Sequence, residues 1–260
     1  MATTDTSVQV ERRGAIAIVT LDRPGRRNGV TVAMCEQLHH SLLALASEDA
    51  RVIVLRGAGN DFSVGADLGA PRETAEFPTL AKLGPVFHAA TLLHTMPQVT
   101  IAAIDGGCAG ASMGWACACD FRFASDRAKF STGFLKLGVS GDMGLAWSLS
   151  RVVGGARARE LLLFPDKITA KEALEFGLAT RLFPADTLHQ SVISLAEELV
   201  GRNPFALRMM KANLISAETV GFQDYIEIES ARHLHTMAGS SFGGARRASI
   251  ASGARSREDE

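Results

Sequence analysis

Two stretches of small residues carry the first chemical signal in this chain: Asn60-Asp61-Phe62-Ser63-Val64-Gly65-Ala66-Asp67-Leu68 and Asp105-Gly106-Gly107-Cys108-Ala109-Gly110-Ala111-Ser112-Met113-Gly114. Each follows a short apolar run, Val52 to Leu55 and Val99 to Ile104, that reads as a strand covered on both faces. Loops beyond the C-terminal ends of parallel strands are where open α/β sheets hold ligands. The second stretch also runs into a helix, whose unpaired N–H groups and positive dipole end favour an anionic oxygen. It is not a dinucleotide fingerprint, because position 105 is Asp, and no Gly-Lys-Ser/Thr follows to make a phosphate loop. Glycines that serve only turns and close packing would give the same residues, so the pattern alone leaves both readings open.

The elements that must position these loops follow from periodicity. Val8 to Val10 and Ala15 to Leu21 read as strands joined by a turn at Arg13-Gly14, and Asp22-Arg23-Pro24-Gly25 ends the second. Val32, Cys35, Leu38, Leu42 and Leu45 recur at spacings of three and four, one buried face of a helix for which Thr31 is a fair N-cap. A helix near Thr79 to Thr95 and a strand at Phe121 to Phe123 continue the alternation through about residue 185, the pattern of β-α-β units around parallel sheet. From there to about 238 the chain reads as helical, with Pro204 starting one helix and Gly221 breaking two apart. The expected organisation is a core over 1–200 and a C-terminal helical region over 201–260, with a weakly ordered tail from Gly239.

Bulk properties exclude several classes. Lys+Arg 27 against Asp+Glu 28 gives a net charge of -1, without the basic excess of a nucleic-acid binder. No apolar run reaches the roughly 18 residues of a membrane span, and Met1 to Gln9 lacks the character of a secretory signal. Cys35, Cys108, Cys117 and Cys119 have no His partner at metal-ligand spacing; they read as buried thiols of a cytoplasmic protein, with no metal site.

Taken together, the segments resemble the enoyl-CoA hydratase/isomerase (crotonase) family over about residues 8–185. Leu21-Asp-Arg-Pro-Gly-Arg-Arg-Asn28 is similar to its early "LxRPxxxN" turn, Phe62-Ser-Val-Gly-Ala-Asp-Leu68 to its "FxxGADL" loop, and Asp105-Gly106 through Asp120 to its glycine-rich helix start. Lys129-Phe130, Gly138, Leu149 to Arg151, Gly154 and Ala170 through Leu178 continue in register. The resemblance implies an α/β fold of crotonase type, a (ββα)n superhelical spiral with a C-terminal helical trimerisation region. It implies a homotrimer or a hexamer built as a dimer of trimers, and a role in acyl-CoA or fatty acid metabolism. It implies an acyl-CoA thioester as substrate, with no cofactor beyond the CoA moiety. Carried over in register, the backbone N–H groups of Ala66 and Ala111 form an oxyanion hole for the thioester carbonyl, where enolate charge develops. Arg23, Arg26, Arg27, the loop Ala66-Asp67-Leu68 and a late Lys211, from a neighbouring subunit, are the implied CoA contacts.

The family's two hydratase glutamates fall on Gly114 and Phe134, neither of which moves a proton. What remains is Asp142, in Gly138-Val-Ser-Gly-Asp-Met-Gly144, similar to a stretch where the family's isomerases carry an Asp. An isomerase needs one base, because the proton leaving one carbon can return to another. Phe134, Met143 and Trp147 are expected to desolvate Asp142 and raise its pKa. Asp142 is equally a natural N-cap for the helix from Leu145. The dehalogenase branch of the family is similar here too, but its histidine position falls on Phe87, with His88 adjacent. Trp115 and Trp147 could wall an acyl pocket or pack the core, and Gly69 to Thr79 is expected to shape its far end. The expected activity is enoyl-CoA double-bond isomerisation or atypical hydration (a lyase reaction) through Asp142. The alternative is a silent acyl-CoA-binding protein that keeps the fold.

Overall fold

The computed structural model describes residues 7–69 and 80–238; of 80–83 it describes only the backbone. The expectations for Gly69 to Thr79 and for the tail from Gly239 fall, apart from Gly69 itself, outside the described residues. The chain divides into two compact units, Met1–Val200 and Gly201–Glu260.

In the first unit β1 (Val8–Arg13) and β2 (Ile16–Leu21) form a hairpin; β2 then pairs in parallel with β3 (Val52–Gly57). The sheet continues through β4 (Val99–Ile104), β6 (Phe121–Ser125) and β9 (Arg181–Phe183), all parallel, in the order β1-β2-β3-β4-β6-β9. β4 is buried at every position, which is why Val99 to Ile104 is apolar but for Thr100, whose hydroxyl donates to Leu93 O. Helix α1 (Val32–Ala46) buries Cys35, Leu38, Leu42 and Leu45 as expected, but Met34 instead of Val32, which is exposed in the first turn; Thr31 caps the helix by accepting from the Met34 N–H. Helix α2 (Leu80–Thr95) packs along α1.

A second sheet escapes sequence reading. β5 (Gly107–Ala109), β7 (Lys129–Ser131) and β8 (Ile168–Thr169) have two or three residues each, too short for periodicity to register. The chain alternates between the sheets: β4 leads into β5 and then α3 (Ala111–Ala118), and β6 leads into β7. Helices α4 (Leu145–Val153), α5 (Gly155–Leu163), α6 (Ala170–Glu175) and α7 (Leu188–Val200) complete this unit. The second unit holds α8 (Pro204–Ala217), capped by the Asn203 side chain, and α9 (Phe222–Ala238), which buries none of its residues. Among the described residues no helix is long and apolar enough to cross a membrane.

Candidate functional site

β3 and β4 are parallel and in register, so their C-terminal ends release the two small-residue loops side by side. The loops are then laced together. Phe62 N–H donates to Asp105 O (2.6 Å), Ser63 N–H to Gly107 O (2.9 Å) and Ala109 N–H to Ser63 O (3.1 Å). The Ser112 hydroxyl donates to Ser63 O at 2.8 Å, and Asp61 accepts from the Gly107 N–H at 2.7 Å. A methyl group at Gly65 would stand 2.8 Å from the Ala109 carbonyl, so the close approach requires glycine there.

This lacing decides where two N–H groups point. Val30 forms a parallel bridge with Ala66: its N–H donates to Gly65 O (2.8 Å), and Asp67 N–H donates to Val30 O (2.9 Å). In such a bridge the groups of residues 65 and 67 are used, which turns the Ala66 N–H to the opposite side. Ala111 opens α3, and the bonds from Met113 and Gly114 return to Gly110 O, leaving Ala111 N–H with no intrahelical acceptor. Gly110 holds φ 53, ψ -124, and the position of its missing Cβ lies 3.9 Å from the Gly65 Cα. Residues 65–66 and 110–111 therefore adjoin.

The 134–144 segment closes over this spot. The Phe134 ring stands 3.5 Å from where a Gly141 Cβ would lie and 3.9 Å from that of Gly110. On the other side, a Cβ at Gly114 would be 2.5 Å from the Met143 Cβ. Of the two chain neighbours of Asp142, Met143 is thus packed against Gly114 and Gly141 against the Phe134 ring. Asp142 Oδ1 is buried and has no hydrogen-bond partner among the described residues. Burial pushes its pKa up to about 6. The Cys35 thiol, on the first turn of α1, is pushed up to about 12, mainly by burial and then by the Asp142 charge.

The expected capping role of Asp142 is corrected. Gly144 is the N-cap of α4, in left-handed backbone, and no side chain caps the helix. Met143, with φ 51, and Gly144, with φ 67, bend the chain between the carboxyl and the helix start. A carboxyl relieved of capping and left unpaired has no structural duty among the bonds described.

The cations sort by partner. Arg23 Nη2 donates to Asp67 Oδ2 at 3.0 Å, and Arg27 grips Asp61 through Nε (2.8 Å) and Nη2 (3.0 Å). The Arg23 hydrogen bond holds the Asp67 carboxyl below the usual range. Arg26 is exposed, its guanidinium 3.7 Å from where a Gly69 Cβ would be, next to exposed Leu68. Lys211 on α8 is buried, not displayed as a surface cation. Trp115 is fully buried in the core, whereas Trp147 is exposed. All four cysteines are free and buried; burial raises the Cys117 thiol to about 11, which suppresses thiolate chemistry.

A family model described as enoyl-CoA hydratase/isomerase matches residues 11–248. The chain belongs to the enoyl-CoA hydratase/isomerase family. It is 32% identical over 231 residues to 1,2-epoxyphenylacetyl-CoA isomerase of Escherichia coli, covering 87% of each chain. The enoyl-CoA hydratase structure from Bacillus anthracis superimposes with a TM-score of 0.89 at 26% identity, over 95% of this chain and 97% of that one. A Thermobifida fusca protein grouped with the enoyl-CoA hydratases and solved with CoA gives a TM-score of 0.84 at 29% identity, over 89% and 93%. Relatives named isomerase and hydratase stand side by side, so the protein is an enzyme of the family's acyl-CoA chemistry.

For an enoyl-CoA hydratase/isomerase, the residue that sequence reasoning underused is Asn28. It is buried at φ 55, its amide donates to Ala58 O (2.9 Å) and Asp61 O (2.8 Å), and its Oδ1 accepts from the Arg23 N–H (2.9 Å). Asn28 thereby fixes the first small-residue loop to the turn that carries the arginines. Its place in the "LxRPxxxN" motif was the available signal.

Proposed function

We propose that the protein is an enoyl-CoA isomerase in which Asp142 carries a proton between two carbons of the acyl chain. The observation that carries this is the half-buried Asp142 carboxyl, whose buried Oδ1 has no partner among the described residues and whose neighbours Met143 and Gly141 pack on Gly114 and Phe134. In this reading the thioester oxygen accepts from the Ala66 and Ala111 N–H groups. Ionised Asp142 removes a proton from C2 of a 3-enoyl-CoA; the electron pair spreads into a dienolate whose charge rests on that oxygen. Asp142 then returns the proton to C4, giving the 2-enoyl-CoA with no net proton or electron change. Main-chain donors fixed before reaction are suited to this charge, and losing one typically costs about 3–4 kcal/mol.

Hydration by a second carboxylate is disfavoured by the same geometry: Gly114 faces Met143 with no space for a side chain, and the Phe134 ring fills the opposite approach. Exposed Arg26 is the natural partner for CoA phosphate, while Arg23 and Arg27, paired with Asp67 and Asp61, hold the loops. On the same reading the core is the family's (ββα)n spiral, and the exposed Phe222, Ile226, Leu234 and Met237 of α9 enter a trimer, free or paired into a hexamer. Incubating the enzyme with a 3-enoyl-CoA and, separately, a 2-enoyl-CoA tests the assignment. Double-bond migration without added water is expected; a 3-hydroxyacyl-CoA as main product would make it a hydratase, with Asp142 activating water.

A further inference from the structure

One cavity in the first unit stands apart from the carbonyl site yet shares a residue with it. It occupies about 340 Å³ between α2 and α4. Its inner end is formed by Ala118 and Met143, both buried, and its mouth by His88, Thr91 and Trp147, which are exposed. Ala111, Gly114 and Ala118 follow one another at spacings of three and four, so they share one face of α3. At 1.5 Å per residue, Ala118 lies about 10 Å along the helix from Ala111. Met143 faces Gly114 midway and also lines the cavity. A thioester with its oxygen at Ala111 therefore has the cavity ahead of its acyl chain, past Asp142 and Met143.

The lining selects among acyl groups. Small-molecule sites span roughly 300–1,000 Å³, so this one suits a compact group. Trp147 is held rigid: the Arg151 guanidinium lies over its ring at 3.6 Å, and the His94 ring meets it edge-on at 5.1 Å between centroids. With Phe87 on the facing helix, it offers aromatic surface for offset or edge contacts with a flat guest. His88 lines the cavity and its Nδ1 is taken up by the Thr91 hydroxyl at 3.1 Å, leaving Nε2 as the ring nitrogen for a guest. An alkyl chain laid there strips water from Nε2 and returns nothing. A hydroxyl can donate or accept, and so pairs with either imidazole tautomer.

The geometry points to a compact aryl acyl group carrying a hydroxyl as the guest of this cavity, its ring against Trp147 and its hydroxyl on His88 Nε2. This rests on the proposed placement of the thioester at Ala66 and Ala111. Calorimetric titration of the full chain with acetyl-CoA, octanoyl-CoA, phenylacetyl-CoA and 4-hydroxyphenylacetyl-CoA tests it. The hydroxyaryl thioester should bind at least about tenfold more tightly than octanoyl-CoA, the scale on which pockets of this kind discriminate. Trp147→Ala should remove that advantage while leaving acetyl-CoA binding in place, and His88→Leu should erase only the difference between the two aryl thioesters. If acetyl-CoA binds but octanoyl-CoA matches or exceeds the aryl thioesters, the cavity assignment is wrong and the carbonyl site stands. If no thioester binds, the carbonyl placement itself fails and takes this assignment with it.

Discussion

Replacing Asp142 with Asn separates catalysis from architecture, because Asn caps a helix as well as Asp does, whereas an unpaired carboxylate is relieved of its charge. The carboxyl sits at about 6 against an ordinary value of 3.8, raised by burial. At 1.36 kcal/mol per pH unit that gap would be about 3 kcal/mol, but the carboxyl is only partly buried, so screening by water leaves the ionised side chain costing the fold roughly 1–2 kcal/mol. The folded state holds the proton more tightly than the unfolded chain does. Stability is therefore unaffected below about pH 4, falls as pH rises between the two values, and stays lowered above about 6. Asp142→Asn removes the charge, so at pH 7.5 it should be more stable than the parent, by less than the full amount because the amide is itself unpaired. The gain should vanish below pH 4. Activity should fall about 10²–10⁴-fold, the usual worth of a general acid-base group. In the parent enzyme kcat/KM should rise with pH through about 6, as the base ionises. Chemical denaturation at pH 4 and 7.5, beside an isomerase assay over the same range, measures all three. A variant that keeps full activity, or is no more stable than the parent at pH 7.5, refutes the reasoning.

The main-chain donors have their own test. Ala111 is the first residue of α3, where proline is tolerated. Ala111→Pro should keep the circular dichroism spectrum yet lower kcat about 10²–10³-fold by deleting one N–H; an active variant would remove Ala111 from the hole. Gly114→Glu, which restores a carboxylate, meets Met143 Cβ at 2.5 Å, and thermal melts should show a loss of about 1–3 kcal/mol. Adding Met143→Gly, which removes that Cβ at a left-handed position, should recover much of it; an undisturbed single variant would mean that Met143 does not fill that space. Asn28→Ala deletes three hydrogen bonds at a left-handed position and should cost about 2–4 kcal/mol by urea unfolding, with weakened CoA binding as the loops loosen. Unchanged CoA affinity in a folded variant would show that Asn28 does not position the CoA loops.

The sequence by itself determined the wide elements and the address of the site. Cys35, Leu38, Leu42 and Leu45 at helical spacing marked the buried face of α1, and the short run Val99 to Ile104, polar only at Thr100, read as a strand covered on both faces because burial leaves no alternation of polar residues. The two small-residue loops were legible for a related reason: backbone approaching backbone excludes side chains, so Gly65 and Gly110 mark the contact in the chain itself. What sequence could not supply was relative placement. β5, β7 and β8 are fixed by partners far along the chain, not by any pattern within two or three residues. The direction of the Ala66 N–H is set by its bridge to Val30, a pairing with no signature in residue type. Asp142 read equally as cap or base, and only the left-handed pair Met143-Gly144 and the packing against residues 110–114 separate the carboxyl from the helix it precedes. Burial is a property of what surrounds a group, so the raised pKa of Asp142 and the unpaired state of its Oδ1 exist only in the folded molecule.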